Sequence, residues 1–343
     1  MLPEAIFAQK LRKLLSAAVR RVVSEMARHA PDLKGEVRPW MEALAGSERA
    51  EAYFQDGRAA IFLLPWFLEK SIRPVPDPEF QASLVYSSVN AYYFVRLIDN
   101  LLDRQDGPER RLLPAAAFFH AQFQSPYHRY FPPDSPFWDF FHATWTSMAE
   151  ATLKDAATTD FSEEEFAAVA ARKSAGVKIP LAAVCFRYER ADWLPRWCAF
   201  YDRLACWNQM LNDLLDWQKD RNREISTFFL SEAKRSKRAG ESVTGWMVRR
   251  GFTWACGLLQ SWMHELQVLA PALHSADLEA YLEYREREIA NWQRTVAPDL
   301  VRLARLASLL EGTPMTEPRS HRIPPGKEGK TPAFLMLSRA PSP

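Results

Sequence analysis

Apolar residues recur at steps of three and four through almost the whole chain, and no run alternates apolar with polar between turn signals as a half-buried strand would. This periodicity predicts an all-α fold. Clusters of Pro, Gly and Asp punctuate it at Pro31 to Gly35, at 71-SIRPVPDP-78, around 124-QSPYHRYFPPDSP-136, at 157-ATTDFS-162, near Pro180 and at 237-KRAGES-242, which leaves about eight to ten helices. In 159-TDFSEEEF-166 the pairing of Ser162 with Glu165 three residues on predicts a helix start, and a second start is expected at Asp192. No repeat period and no shift of composition divides the chain, so residues 1–312 read as a single-domain helical bundle. Residues 313–343, rich in Pro, Gly and charge, read as a disordered tail.

Charge and cysteine usage narrow the classes of function. The 343 residues carry 44 basic and 42 acidic side chains, a formal net charge of +2, so no global field draws the chain to nucleic acid or to an anionic membrane. Its four cysteines (Cys185, Cys198, Cys206, Cys256) form no CxxC pair and no zinc-type spacing, which fits a reduced, cytoplasmic setting. The longest apolar run, AAIFLLPWFL, is about half of what spans a bilayer, and the N-terminus lacks the apolar core of a signal peptide. Its basic, amphipathic opening is closer to a transit peptide, but Glu4 and Glu25 count against one. A soluble protein is expected.

Two segments depart from ordinary helix patterning. In 91-AYYFVRLIDNLLDRQD-106 the acids Asp99, Asp103 and Asp106 stand four and seven apart, so all three share one helix face. In 201-YDRLACWNQMLNDLLDWQKDRNREIST-227 Gln209, Asn212, Asp216 and Asp220 repeat the stacking, with Asp213 beside them. Solvated faces laced with local pairs, Asp99 with Arg96, Asp216 with Lys219, Asp220 with Arg223, are the plain explanation. Both stacks, however, continue an apolar seam, which sets them at the mouth of a core. Uncompensated carboxylates there cost several kcal/mol, and hard divalent cations with oxygen ligands are their natural partners. Mg²⁺ takes one or two carboxylates and completes its shell with water and phosphate oxygens, so facing acid stacks imply a phosphate-bearing substrate. Acids at the rim of an aromatic helical cup suit a diphosphate with a long apolar tail; twelve tryptophans are available to line it.

These residues resemble the class I isoprenoid synthases, the superfamily of polyprenyl diphosphate synthases, squalene and phytoene synthases and class I terpene cyclases. Asp99-Asn100-x-x-Asp103 is similar to the first metal motif, DDxxD, with Asn100 at its second Asp. Gln209-x-x-Asn212-Asp213-x-x-Asp216 is similar to the prenyltransferase QxxDDxxD, and Asn212-Asp213-x-x-Asp216-x-x-Lys219-Asp220 is similar to the cyclase motif NDxxSxxKE. Between them, 172-RKSAGVKIPLAA-183 is double as well: Lys173 and Ser174 resemble the prenyltransferase Lys-Thr helix break, and Arg172 with Gly176 resembles the cyclase's diphosphate-sensing Arg and its helix-break Gly. The three blocks keep the family order across roughly residues 80 to 230.

The resemblance implies an isoprenoid-synthase fold with a central cavity, three Mg²⁺ ions and ionisation of an allylic prenyl diphosphate to a carbocation. Asp99 and Asp103 are the expected metal ligands on one helix and Asn212, Asp216 and Asp220 on the other, with Asp106 and Asp213 open. Arg172, Lys173, Gly176, Gln209 and Lys219 are the expected substrate-binding residues. Trp207, Tyr92, Tyr93 and Phe94 are candidates for facing the cation. Chain-elongating relatives hold a second diphosphate with an early basic stretch, for which 56-DGRAAIFLLP-65 offers Arg58 alone, and with paired arginines, for which Arg110 and Arg111 stand at the start of another helix. A single diphosphate position favours a terpene cyclase. Lys173 and Gln209 keep a prenyltransferase, chain-elongating or head-to-head, as the alternative. The cyclase's late Arg-Tyr pair has only Tyr284-Arg285, in reverse order, to stand for it. An inactive helical binding protein of the same fold is the third reading. Homodimers are common among fold relatives.

Overall fold

The structure, a computed structural model, describes residues 7–54, 60–103 and 108–311. Arg58, Asp106 and the 313–343 tail fall outside the described residues, as does the side chain of Asp103. Helix accounts for 86% of the structure and no strand occurs among the described residues, so the all-α expectation holds.

In chain order the α-helices are α1 (Phe7–His29), α2 (Pro31–Ala45), α3 (Ala60–Ile72), α4 (Pro78–Asp103), α5 (Ala115–Gln124), α6 (Pro136–Ala157), α7 (Glu163–Lys173), α8 (Lys178–Arg187), α9 (Leu194–Asn222), α10 (Phe228–Ser236), α11 (Val243–Trp246), α12 (Phe252–Leu269) and α13 (Ala276–Glu311). Short 3₁₀ turns join several of them. No helix among the described residues is long and apolar enough to cross a membrane.

Three helices are central. Leu84 to Tyr93 of α4 and Ile179 to Cys185 of α8 are buried at every position, and most of α9 from Trp197 to Leu214 is buried too. A helix apolar on all sides lies inside the bundle. Around α4 pack α1, α3 and α5; around α9 pack α7, α8, α10 and α12. One contiguous hydrophobic cluster runs through them from Leu11 to Ile289.

Most of the expected breaks hold. Ser162 caps α7 as predicted: its hydroxyl accepts from the Glu165 amide while the Glu165 carboxylate accepts from the Ser162 amide. Ser162→Ala is expected to cost about 1 kcal/mol in chemical denaturation, because the Glu165 amide loses its side-chain acceptor.

Three boundaries shift. Pro31 opens α2 and Gly35 lies inside it, because proline at the first helical position gives up only an amide that would be unbonded anyway. Asp192 sits in a 3₁₀ turn without capping α9, which begins at Leu194 with Pro195 in its first turn. The break assigned to Pro180 falls earlier, at Ser174 to Val177, and Pro180 is tolerated in the first turn of α8.

Candidate active site

The sequence stacks its acids on α4 and α9, and the fold turns both stacks into one cleft. On α4, Tyr92, Val95, Arg96 and Asp99 line it at helical spacing. On α9, Gln209, Asn212, Asp213, Asp216, Lys219 and Asp220 line the facing wall. α7 contributes Phe166, Val169, Ala170 and Lys173, again at steps of three and four, and the break after it adds Ser174 and Gly176. α6 closes the cleft with Trp145, Met148 and Asp155. The space outside the atoms, open mouth included, is about 1540 Å³.

Exposure gives the cleft a direction. Tyr92 is buried, the Asp99 side chain is 24% exposed, and those of Asp216 and Lys219 are 41% and 39% exposed. The C-terminal ends of α4 and α9 therefore face the mouth. Helix C-termini carry partial negative charge and favour cations, so acids placed there add to a potential that already asks for positive charge. From Asp99 to Tyr92, and from Asp216 to Gln209, is seven residues, so the walls continue for about 10 Å below the acids.

Two lysines answer that potential. Lys173 Nζ lies 2.7 Å from Asp155 Oδ2 and 3.7 Å from Asp99 Oδ1, bridging α6 and α4. Lys219 bonds Asp216 and stands 4.0 Å from Asp220. Asp213 behaves differently. Its Oδ2 accepts from the Phe228 amide at 3.1 Å, at the start of α10, and its Oδ1 accepts from Gln209 at 2.9 Å. Burial pushes its carboxyl up to about 7, with Asp220 and Asp155 adding repulsion and the Gln209 hydrogen bond working against it. Asp213 thus fastens α10, while Asp216 and the more buried Asp220 line the cleft beside Lys219.

The helix break carries an unanswered polar group. Ser174 is 4% exposed, lines the cleft, and its Oγ has no hydrogen-bond partner among the described residues. Such a hydroxyl costs free energy until a ligand or another donor meets it. At Gly176, a Cβ would stand 3.2 Å from Met148 Sδ, so the missing side chain lets the break press against α6.

Asp99, Lys173, Gly176, Gln209, Asn212, Asp216, Lys219 and Asp220 all line this one cleft. Arg172 does not. Lys173 continues the Phe166–Val169–Ala170 stripe, and Arg172, one residue or about 100° away, points out of the cleft to pair with Glu150 at 3.0 Å. Arg285 is also elsewhere: it lies beneath α9 against the Trp207 ring, bonded to Tyr281 and Asn208. Arg111 is an exposed partner of Glu36.

Of the aromatic candidates only Tyr92 lines the cleft, bonded there to the Tyr53 hydroxyl. Trp207 donates to the Leu259 carbonyl in the core, Tyr93 stacks on Phe119, and Phe94 packs on Trp145 and His120. Asp155, Tyr53 and Trp145 join the site without a sequence signal, each standing alone outside an acidic or basic stack, and Arg96 joins it from the Asp99 face of α4.

The donor set is chemically suited to Mg²⁺. Among the described residues no three carboxylates, imidazoles or thiols come close enough to hold a metal by themselves. An ion that arrives with phosphate oxygens needs only one or two carboxylates, and Asp99 across from Asn212, Asp216 and Asp220 supplies hard oxygen donors of that kind. Comparisons of the chain with protein-family models, with curated proteins and with solved structures return no match.

Proposed function

We propose that the chain is a class I terpene synthase that ionises an allylic prenyl diphosphate and converts the resulting cation to a terpene hydrocarbon or alcohol. One observation carries the reading: acids from two helices, a lysine and an unpartnered buried hydroxyl converge on the mouth of a cleft whose deeper wall is Tyr92, Phe166, Trp145 and Met148. A polar, cation-seeking rim over an apolar interior matches a diphosphate head on an isoprenoid tail.

Asp99 on α4 and Asn212, Asp216 and Asp220 on α9 are the residues that would hold Mg²⁺. Bound there, the ion would neutralise the charge that builds on the departing diphosphate. Lys173, Lys219 and the Ser174 hydroxyl orient the diphosphate oxygens by charge-assisted hydrogen bonds. The deeper wall keeps water from the cation, and an aromatic face turned to it would stabilise it by about 2 kcal/mol when desolvated.

A second reading, transfer of the prenyl group to another prenyl diphosphate, has its own observation. Lys173, the prenyltransferase-like residue of the helix break, is in the cleft and Arg172, the cyclase-like one, is outside it. One experiment separates the two. The protein is incubated with Mg²⁺ and geranyl, farnesyl, geranylgeranyl or geranylfarnesyl diphosphate, each with and without isopentenyl diphosphate, and the products are extracted and analysed by mass spectrometry. A hydrocarbon or alcohol formed without isopentenyl diphosphate is the expected result. A longer diphosphate formed only with it assigns transfer instead, and no diphosphate release from any substrate would refute both.

A further inference from the structure

We propose that Asp155, which belongs to neither acidic motif, is a positioning residue: it draws Lys173 away from Asp99 and so keeps Asp99 open to a cation arriving with phosphate. The inference rests on the reading of the cleft as a Mg²⁺ and diphosphate site. Asp155 is in the last turn of α6, Lys173 in the last turn of α7, and Asp99 on α4. One ammonium serves both carboxylates, at hydrogen-bonding distance from Asp155 (2.7 Å) and at a longer ion-pair distance from Asp99 (3.7 Å).

The three side chains are 24 to 30% exposed, so solvent weakens these pairs without abolishing them. A lysine is a compact charge on a flexible four-carbon stem, and it settles on the nearest strong acceptor. With Asp155 neutral, the nearer competitor is gone, and Lys173 moves onto Asp99. An ammonium seated on Asp99 occupies the oxygens a divalent cation needs. The other wall shows that arrangement already: Lys219 bonds Asp216 directly, and its second acid, Asp220, is 4.0 Å away. Asp155 thus makes the two walls unequal, leaving the α4 acid the more available one. Its charge also reaches across the cleft, where it is among the causes that raise the Asp213 carboxyl.

The test is calorimetric titration of the full chain with inorganic pyrophosphate at a series of Mg²⁺ concentrations, for wild type, Asp155→Asn, Asp155→Glu, Lys173→Gln and the double variant Asp155→Asn with Lys173→Gln. Asp155→Asn is expected to raise the Mg²⁺ concentration for half-maximal pyrophosphate binding by about two- to fivefold, the range of a partly exposed ion pair. At saturating Mg²⁺ its pyrophosphate affinity should match wild type, Asp155→Glu should restore the midpoint, and the double variant should behave as Lys173→Gln alone. A merely structural Asp155 would weaken pyrophosphate binding at every Mg²⁺ concentration, and that result overturns the proposal. So does an unchanged midpoint in Asp155→Asn. Wild type that binds no pyrophosphate at any Mg²⁺ concentration overturns the underlying reading of the cleft, and this inference falls with it.

Discussion

Asp216→Ala is expected to lower diphosphate release from the preferred prenyl diphosphate by about 10³-fold, with the far-UV circular dichroism spectrum and the denaturation midpoint close to wild type. The two halves of that expectation have separate causes. Asp216 is 41% exposed and its partner is Lys219 three residues along the same helix, so removing it breaks one local, solvent-screened pair and opens no cavity. Such surface changes stay within about 0.5 kcal/mol. Its chemical role, in contrast, is to supply a hard oxygen where the departing charge is neutralised. A lost electrostatic contact of that kind costs several kcal/mol of transition-state stabilisation, which is the 10³-fold range.

Asp99→Ala should act in the same way from the opposite wall. Asp213→Ala should not: Asp213 accepts from the Phe228 amide and from Gln209, so its loss leaves buried donors without acceptors and shows first as lost stability. Activity lost with stability kept for Asp216, and stability lost for Asp213, distinguishes the two adjacent acid types. Full activity in both Asp99→Ala and Asp216→Ala would remove the metal assignment.

That contrast also shows what the sequence could and could not disclose. The faces of α4 and α9 were legible because helix periodicity converts spacing into direction: acids at steps of three and four that extend an apolar seam have to meet the edge of a core. The same rule separates Lys173 from Arg172, since only Lys173 continues the Phe166–Val169–Ala170 stripe; motif likeness groups the two neighbours, and the helix turn divides them. Asp155 and Tyr53 were out of reach. Each is a single polar residue in an unremarkable segment, and its place in the cleft depends on how α6 and the turn after α2 pack in three dimensions. Tyr284-Arg285, the reversed stand-in for the late Arg-Tyr pair, supplies no cleft residue. Arg285 is instead held against the Trp207 face by Tyr281, Asn208 and Glu288.

Glu69→Ala is expected to destabilise the protein by about 3–5 kcal/mol, although Glu69 takes no part in the cleft. Its side chain is fully buried on α3 and gathers three donors: the Asp77 amide at 2.6 Å, Gln81 Nε2 at 2.5 Å and the Tyr188 hydroxyl at 2.6 Å. Those donors come from the turn before α4, from α4 itself and from the end of α8, so one residue ties three elements at a point. Asp77 extends the knot. It accepts from the Glu79 and Phe80 amides at the start of α4 and from Arg187, whose guanidinium lies 4.6 Å from the Phe80 ring and 4.7 Å from that of Tyr130. Burial pushes the Asp77 carboxyl up, but the two amides and Arg187 outweigh it and hold it below the usual aspartate range.

Alanine at position 69 removes the common acceptor: the part-buried Asp77 N–H loses its partner and the buried Gln81 Nε2 keeps only the Pro65 carbonyl at 3.4 Å, and each buried donor left short costs about 1–3 kcal/mol. Tyr188→Phe deletes one donor and leaves the acceptor served by the other two, so it should cost only about 1 kcal/mol. Urea denaturation of the two variants is the measurement, with the difference between them as the decisive quantity. Equal, small losses would mean that water replaces Glu69 without penalty and that the start of α4 is held by apolar packing alone. A large loss confined to Glu69→Ala would mean that the helix carrying Asp99 is anchored about 30 Å from its acid, at the opposite end of its 26 residues.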